Sequence, residues 1–337
     1  MSNKPLVSII TPCYNGEKFL DRYFNAILSQ TYDNLELIFV NDGSIDLSYE
    51  LALSYKDKLE QKGIKTVYIE QENSGIAAAI NAGLKNFHGD FLIWPDCDDC
   101  MPPNYVGELV KYLLAHPDKG FVLSKCVRVF EGDIDKITDK YERQNKESGF
   151  MFDDLILERD IYWAAGGYML RREAFLRANP DCEIYESACG QNYQMLLPIS
   201  YFYECGFNDT TEYKIIARPG SMSRTQYNYF ERIRNIDIQE KTVMETILKI
   251  NMPKEDLDKY KKIVLLKYLN RRFDLSFYYG KKEDSKEYYN KLKQQNGLTA
   301  SVKIKYILVK NHLLFKCYKV LRSIKRKIKK LSPVKVC

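Results

Sequence analysis

Three carboxylates fall within four residues of FLIWPDCDDCMPPN (91–104), where Asp96, Asp98 and Asp99 close an apolar run. At a separation of ~4 Å and an effective dielectric near 20, each like-charged pair costs about 4 kcal/mol. A helix starting after Pro102-Pro103 could set one such charge against its dipole, but not three. The cluster therefore asks for a compensating partner. A zinc reading through Cys97-x-x-Cys100 fails: no second CxxC follows, and the only histidines are His88, His116 and His312.

Alternating short apolar runs and helical patterns must position those carboxylates. LVSIITP (6–12), LELIFVND (35–42), TVYIEQ (66–71) and DFLIWPD (90–96) read as strands. Between them, EKFLDRYFNAILSQ (17–30), LSYELALSYKDKLEQ (47–61) and IAAAINAGLKNF (76–87) read as helices. That alternation predicts βαβ units and a mostly parallel sheet. A helix to about His116 and a strand in GFVLSKCVRVF (120–130) follow, and the polar stretch 130–152 reads as a loop excursion. Short strands mixed with helix lead to about Thr225. Beyond it the pattern is all-helical, over 229–250, 254–280, 283–295 and 301–331.

Charge divides the chain. Residues 301–337 hold twelve Lys/Arg and no Asp/Glu, so the mildly acidic remainder carries 39 basic and 45 acidic side chains. A folded body of that sign argues against nucleic acid as partner. Nine cysteines without a repeating spacing read as free thiols. No signal-peptide pattern and no apolar run of 18 residues is found, so the protein is expected in the cytoplasm.

In an open parallel sheet, ligands bind beyond the carboxyl ends of the strands. Polar clusters lie at four such ends: Thr11, Tyr14 and Asn15; Asn41 to Ser44; ENSGIAAAINAGL; and Asp96 to Asp99. The Gly-x-Gly-x-x-Gly turn of dinucleotide enzymes is missing after the first strand. With VSIITPCYNGEKFLDRYFNAILSQTY, LELIFVNDGSID, ENSGIAAAINAGL and DCDD, the sequence from Val7 to about Arg224 resembles the family 2 glycosyltransferases. The resemblance implies an α/β GT-A fold, a Rossmann-like, mostly parallel sheet flanked by helices, here with a C-terminal all-helical region. Three parts are expected: a GT-A domain over 1–225, a helical extension over 226–300 and a basic tail over 301–337.

It also implies roles. Asp42 would accept the uracil imide N–H, Tyr14 would stack on the base, and Thr11 would add contacts nearby. Asn73 and Gly75 would line the nucleotide at the third helix, where Asn81 and Gly83 suit packing as well as binding. Asp98 first, then Asp96 and Asp99, would hold Mn²⁺ or Mg²⁺ against the diphosphate, with hard oxygen ligands and Lewis-acid stabilisation of the leaving group. Arg218 or, by preference, Arg224 would pair with phosphate. Trp163 would stack on an acceptor sugar beside Gly167, or else sit in the core at the Gly166-Gly167 turn.

Two departures stand out. Ile80 occupies a place where family members often carry Arg. Gln191-Asn192 occupies the place of the Glu-Asp pair whose Asp deprotonates the acceptor, and neutral amides cannot take that proton. Glu186 is the first choice as replacement base, ahead of Glu183 and Asp181, unless it is a solvated loop carboxylate and the amides only orient the acceptor.

In LLFKCYKVLRSIKRKIKKL (313–331), Leu314, Cys317, Leu321, Ile324, Ile328 and Leu331 recur at helical spacing with Lys and Arg on most of the opposite side. Such basic amphipathic helices lie on anionic membranes. The alternative is a terminal helix packed on the helical extension with its charges in water. The resulting expectation is an inverting, metal-dependent transferase at the inner face of a bacterial membrane, using a UDP-sugar and a glycan or polyprenyl-linked acceptor in surface polysaccharide synthesis. A non-catalytic nucleotide-sugar-binding or scaffold subunit is the alternative. Sugar, linkage and oligomeric state are not encoded legibly.

Overall fold

The computed structural model describes residues 4–321 other than 163, 219–226 and 312. In chain order the elements are β1 (Val7–Cys13), α1 (Glu17–Leu28), β2 (Leu35–Asp42), α2 (Ser48–Ser54), α3 (Lys56–Gln61), β3 (Lys65–Gln71), α4 (Ile76–Leu84) and β4 (Phe91–Ile93). There follow α5 (Tyr105–Ala115), β5 (Lys119–Phe130), β6 (Asp133–Tyr141), α6 (Phe152–Leu157), a 3-10 turn at Ala165–Gly167, β7 (Tyr168–Arg171), α7 (Arg172–Ala178), α8 (Gln191–Phe202) and β8 (Glu204–Ala217). The helices α9 (Tyr229–Lys249), α10 (Lys254–Tyr279), α11 (Lys282–Gln294) and α12 (Ala300–Lys310) complete the list, and 313–321 form one more helix.

The sheet runs β3-β2-β1-β4-β7-β5-β6, with β8 alongside β5. β1 pairs in parallel with β2 and β4, and β2 with β3. Every residue of β2 is buried, as a strand covered on both faces requires. The apolar face of α1 (Leu20, Phe24, Ile27) packs with Ile9, Leu37, Phe39 and Tyr105 into the main core. Because the first four strands are parallel and side by side, their carboxyl ends open on one edge. This is the GT-A arrangement, an α/β sheet flanked by helices and followed by a helical region.

Three expectations need correcting. The helix over 47–61 is two helices, divided at Tyr55, whose ring stacks on Phe24 at 4.7 Å and whose hydroxyl donates to Asp21 at 2.8 Å. The stretch 130–152 is no simple loop: it contains β6, antiparallel to β5. Most of β6 is exposed and charged, as suits a sheet edge, so it lacks the apolar alternation that marks strands. β8 is a single long strand rather than short pieces. The pairing jumps from Ser124–Asn208 to Lys125–Glu212, so Asp209–Thr211 bulge out and interrupt its pattern.

Two compact units emerge, one comprising Met1–Thr225 with Lys241–Leu257, the other Gln226–Glu240 with Asp258–Cys337. In the second, Leu269 and Phe273 of α10 pack on Leu292 and Val302, and Phe277 packs on Val309 and Phe315. Among the described residues no helix is long and apolar enough to cross a membrane.

Candidate active site

The loops beyond β1, β2 and β3 are laced into one rim. Asn15, at φ 52°, accepts from the Ile45 N–H at 2.9 Å, while Ser44 and Ser48 hydroxyls accept from the Asn15 and Gly16 N–H groups. Gly43 has φ +68°, and a Cβ there would lie 2.6 Å from the Asn73 nitrogen, so only glycine lets the second and third loops close on each other. Asp42 is buried at the centre of this lacing. Its Oδ1 accepts from Gln71 Nε2 at 2.7 Å and Ser74 N–H at 2.9 Å, and its Oδ2 from Gly75 N–H at 2.9 Å. Three of roughly four acceptor positions on that carboxylate are thus used inside the chain. Tyr14 (52% exposed), Asn73 and Gly75 lie open on the rim.

Beside it the turn after β4 gathers Asp96, Asp98 and Asp99, one oxygen of each within 4.8 Å of the others. Among the described residues this is the one group of three side chains able to hold a metal ion. Cys97 and Cys100 take no part: Cys97 Sγ sits 3.8 Å from Cys13 Sγ, and Cys100 Sγ faces the Met101 carbonyl. The three aspartates differ. Asp99 is buried and its Oδ1 accepts from the Ile216 N–H at 2.9 Å, which ties the turn to β8. Asp98 is ion-paired with Arg218 at 2.6 Å, and its carbonyl accepts from Arg22 Nη2 at 2.6 Å. Among the described residues Asp96 has no such partner. Burial, then the Asp98 charge, push its carboxyl up to about 7 against the pull of Arg218. Burial, then the Asp96 and Asp98 charges, hold Asp99 well above the usual carboxylate range.

Arg218 pairs with one of the three carboxyls and Arg22 reaches only a carbonyl, so the other two are left without an ion pair among the described residues. This donor set, all oxygen and short of positive charge, fits Mn²⁺ or Mg²⁺. The site also has unmet donors: among the described residues Arg218 Nη1 and Arg22 Nε are buried without an acceptor. Two features deliver Arg218. Cys100 and Lys214 exchange backbone hydrogen bonds at 3.1 Å, drawing the end of β8 alongside the aspartate turn. The guanidinium then lies 3.8 Å from the Phe19 ring centroid on α1, a stacking geometry that suits arginine.

Beyond α7 the segment from Ile184 to Asn192 is held by neutral groups. Asn81 receives the Ile184 N–H at 2.8 Å and donates to its carbonyl at 3.0 Å; Gln194 does the same for Tyr185 at 2.6 and 2.9 Å. Ser187 bonds Thr242 at 2.6 Å. Glu186 lies between these fixed points with its side chain exposed. Gln191 and Asn192 open α8, and Asn192 Oδ1 accepts from Trp94 Nε1 at 3.0 Å, two residues before Asp96. Gln191 Nε2 donates to the Ser187 carbonyl.

At two expected positions the side chain, or the space for one, is taken up inside the chain. Thr11 is fully buried and its hydroxyl meets Tyr23, whose phenol burial pushes up, so its side chain does not face the rim. Gly167 is packing, since a Cβ there would lie 2.7 Å from Cys126 Sγ, just as one on Gly166 would enter the Tyr213 ring. Gly83 likewise abuts Ile10, and Asn81 holds Ile184, so both serve packing. Trp163 and Arg224 lie outside the described residues. Reasoning from sequence passed over Arg22 and Trp94. One looks like an ordinary polar-face residue of α1 and the other like strand core, and only their partners mark them.

A family model for glycosyl transferase family 2 matches residues 8–177, half of the chain. An uncharacterized glycosyltransferase of Rickettsia typhi is 41% identical over 109 residues, 32% of this chain and 32% of that protein. Glycosyltransferase GlyA of Streptococcus pneumoniae is 37% identical over 110 residues, 33% of this chain and 15% of GlyA. The chain thus spans a third or less of the length of these curated relatives. Among solved structures, S. aureus TarS 1–349 in complex with UDP-GlcNAc superposes with a TM-score of 0.63 at 18% identity, over 89% of this chain and 83% of that one. The mannosyltransferase PcManGT of Pyrobaculum calidifontis, in complex with GDP-Man and Mn²⁺, gives 0.56 at 14%, over 99% and 89%. At such identities the likeness is one of fold. With half its length under that family model and its strand-end motifs on one sheet edge, the chain belongs to glycosyl transferase family 2.

Proposed function

We propose that the protein is an inverting, metal-dependent glycosyltransferase that moves a sugar from a UDP-sugar to a glycan or polyprenyl-linked acceptor in bacterial surface polysaccharide synthesis. The observation that carries this reading is the aspartate turn: unbalanced carboxylates facing two arginines with unmet N–H groups, at the edge where the parallel strands end. Asp98 and Asp96 would hold the divalent cation, which would supply Lewis-acid stabilisation of the departing diphosphate. Asp99 keeps the turn on β8. Arg218, released from Asp98, donates to phosphate, and Arg22 fixes the turn through the Asp98 carbonyl. Tyr14 offers its face to the base, while Asn73 and Gly75 border the nucleotide. Asp42 shapes that border through Ser74 and Gly75 and keeps one acceptor position for the uracil imide. The use of UDP by TarS structures favours a uridine donor over a guanosine one.

In an in-line displacement the acceptor oxygen bonds to the anomeric carbon as the bond to the phosphate oxygen breaks, and the acceptor proton must go to a base. Glu186 is our assignment for that base. Its carboxylate is solvent-accessible, while its neighbours Ile184, Tyr185 and Ser187 are fixed by three side chains. Such a frame places a group without using it. Gln191 and Asn192 orient the acceptor segment instead of taking the proton. Their neutrality favours a second reading, a nucleotide-sugar-binding scaffold without turnover.

Release of UDP from a panel of UDP-sugars with lipid-linked acceptors separates the two. Turnover by wild type that falls at least about 10³-fold in Asp98→Ala is expected. Tight UDP binding with no turnover on any donor would favour the scaffold.

A further inference from the structure

The second unit carries an apolar stripe that nothing in the described chain covers. In the helix 313–321, Phe315 and Tyr318 pack on Phe277 with ring centroids 5.3 and 5.2 Å away, which anchors one side to α10. At 3.6 residues per turn, Leu313, Leu314, Cys317, Val320 and Leu321 fall within an arc of roughly 120° on the other side. They are exposed, Leu313 by 71%, Val320 by 58% and Leu321 by 66%. Helix α12 adds exposed Ile304 and Ile307. Lys316 and Lys319 flank the stripe, and Ile324, Ile328 and Leu331 continue its spacing in the sequence.

The same unit contains a groove of about 650 Å³ walled by α9, α10, α12 and the 313–321 helix. Arg232, Arg271 and Lys305 reach it against a single carboxylate, Asp274, with Tyr278 and Tyr318 among its walls. Lys305 pairs with Asp274 at 2.7 Å, and among the lining residues cations outnumber that carboxylate three to one.

We propose that this unit docks on an anionic lipid bilayer, with the stripe entering the acyl boundary and the groove taking a lipid phosphate. Charge selects that occupant. Residues 301–337 hold twelve Lys/Arg and no acid, which repels a second copy of the same surface and attracts anionic headgroups. This goes beyond the transferase reading, and it is read without donor or turnover, so failure of one leaves the other standing.

Flotation of the full chain with vesicles tests it. Wild type rises with vesicles of equal parts phosphatidylcholine and phosphatidylglycerol, and stays down with phosphatidylcholine alone. Leu314→Glu/Leu321→Glu, which alters exposed positions and leaves circular dichroism unchanged, lowers the bound fraction at least about tenfold. Arg232→Ala/Lys305→Ala lowers the preference for phosphatidylglycerol about fivefold. Inorganic phosphate at matched ionic strength leaves flotation unchanged; displacement by it would assign the groove to a free anion and overturn the headgroup assignment. Wild type that ignores anionic vesicles, a stripe variant that floats as wild type does, or a dimer in sedimentation that the stripe variant dissolves would each overturn the docking.

Discussion

The donor side and the acceptor side of the site are built on opposite principles. Around Asp96–Asp99 the chain leaves charge unbalanced: three carboxylates, one ion-paired arginine and buried guanidinium N–H groups with no acceptor among the described residues. Around Ile184–Asn192 the backbone is held by neutral side chains, through Asn81, Gln194, Ser187 and the Trp94–Asn192 bond, with Lys241 over the Tyr185 ring. Buried polar groups ordinarily find partners inside the fold. A region that withholds them is completed by a ligand, whereas a region that supplies them all serves as a frame. The contrast teaches where binding energy and where geometry come from.

It can be broken from either side. On the acceptor side, Glu186→Gln keeps shape and removes the proton acceptor, so kcat should fall by about 10²–10⁴ with donor KM unchanged; steady-state kinetics with UDP release checks this. An unaltered kcat would return Glu186 to the solvated loop. On the donor side, Arg218→Ala should raise donor KM by about tenfold to a hundredfold while kcat falls less, because a phosphate contact is lost from ground and transition states alike. A change confined to kcat would show that Arg218 acts only in the transition state.

A smaller effect sharpens the comparison through pH. The Asp96 carboxyl at about 7 lies above its unfolded value near 3.9. Between those values the folded state binds more protons than the unfolded one, so cation-free stability should decline as pH rises from about 4 to 7. Mn²⁺ must displace that proton, so its affinity should climb by up to about tenfold per pH unit below 7 and level off above. Thermal melts with and without Mn²⁺ across this range read both trends. The acceptor side should contribute to neither.

How much was legible follows the same division. The strands β1, β2 and β4 announce themselves because both faces are buried and their runs are apolar, β3 by its β-branched and aromatic run, and the aspartate turn because like charges need a reason to adjoin. The rim was legible in its residue types but not in their uses. Asp42 reads as a free acceptor until Gln71, Ser74 and Gly75 are seen on it. Thr11 reads as a rim residue until its strand turns the hydroxyl toward Tyr23. Gly167 reads as a site glycine until Cys126 is found against it. Spacing tells which element carries a residue, while partners far away in sequence decide what surrounds it. Asn81 meets Ile184 across 103 residues, and Arg218, read in the sequence as a phosphate partner, meets Asp98.

Calorimetric titration of UDP into the protein, with and without Mn²⁺, on wild type and Asp98→Ala, tests the central claim most directly. Mn²⁺ should tighten UDP binding to wild type at least about tenfold, a coupling of the size a bridging charge supplies, and Asp98→Ala should lose this gain while still binding UDP weakly. Equal affinity with and without the ion in wild type would contradict it.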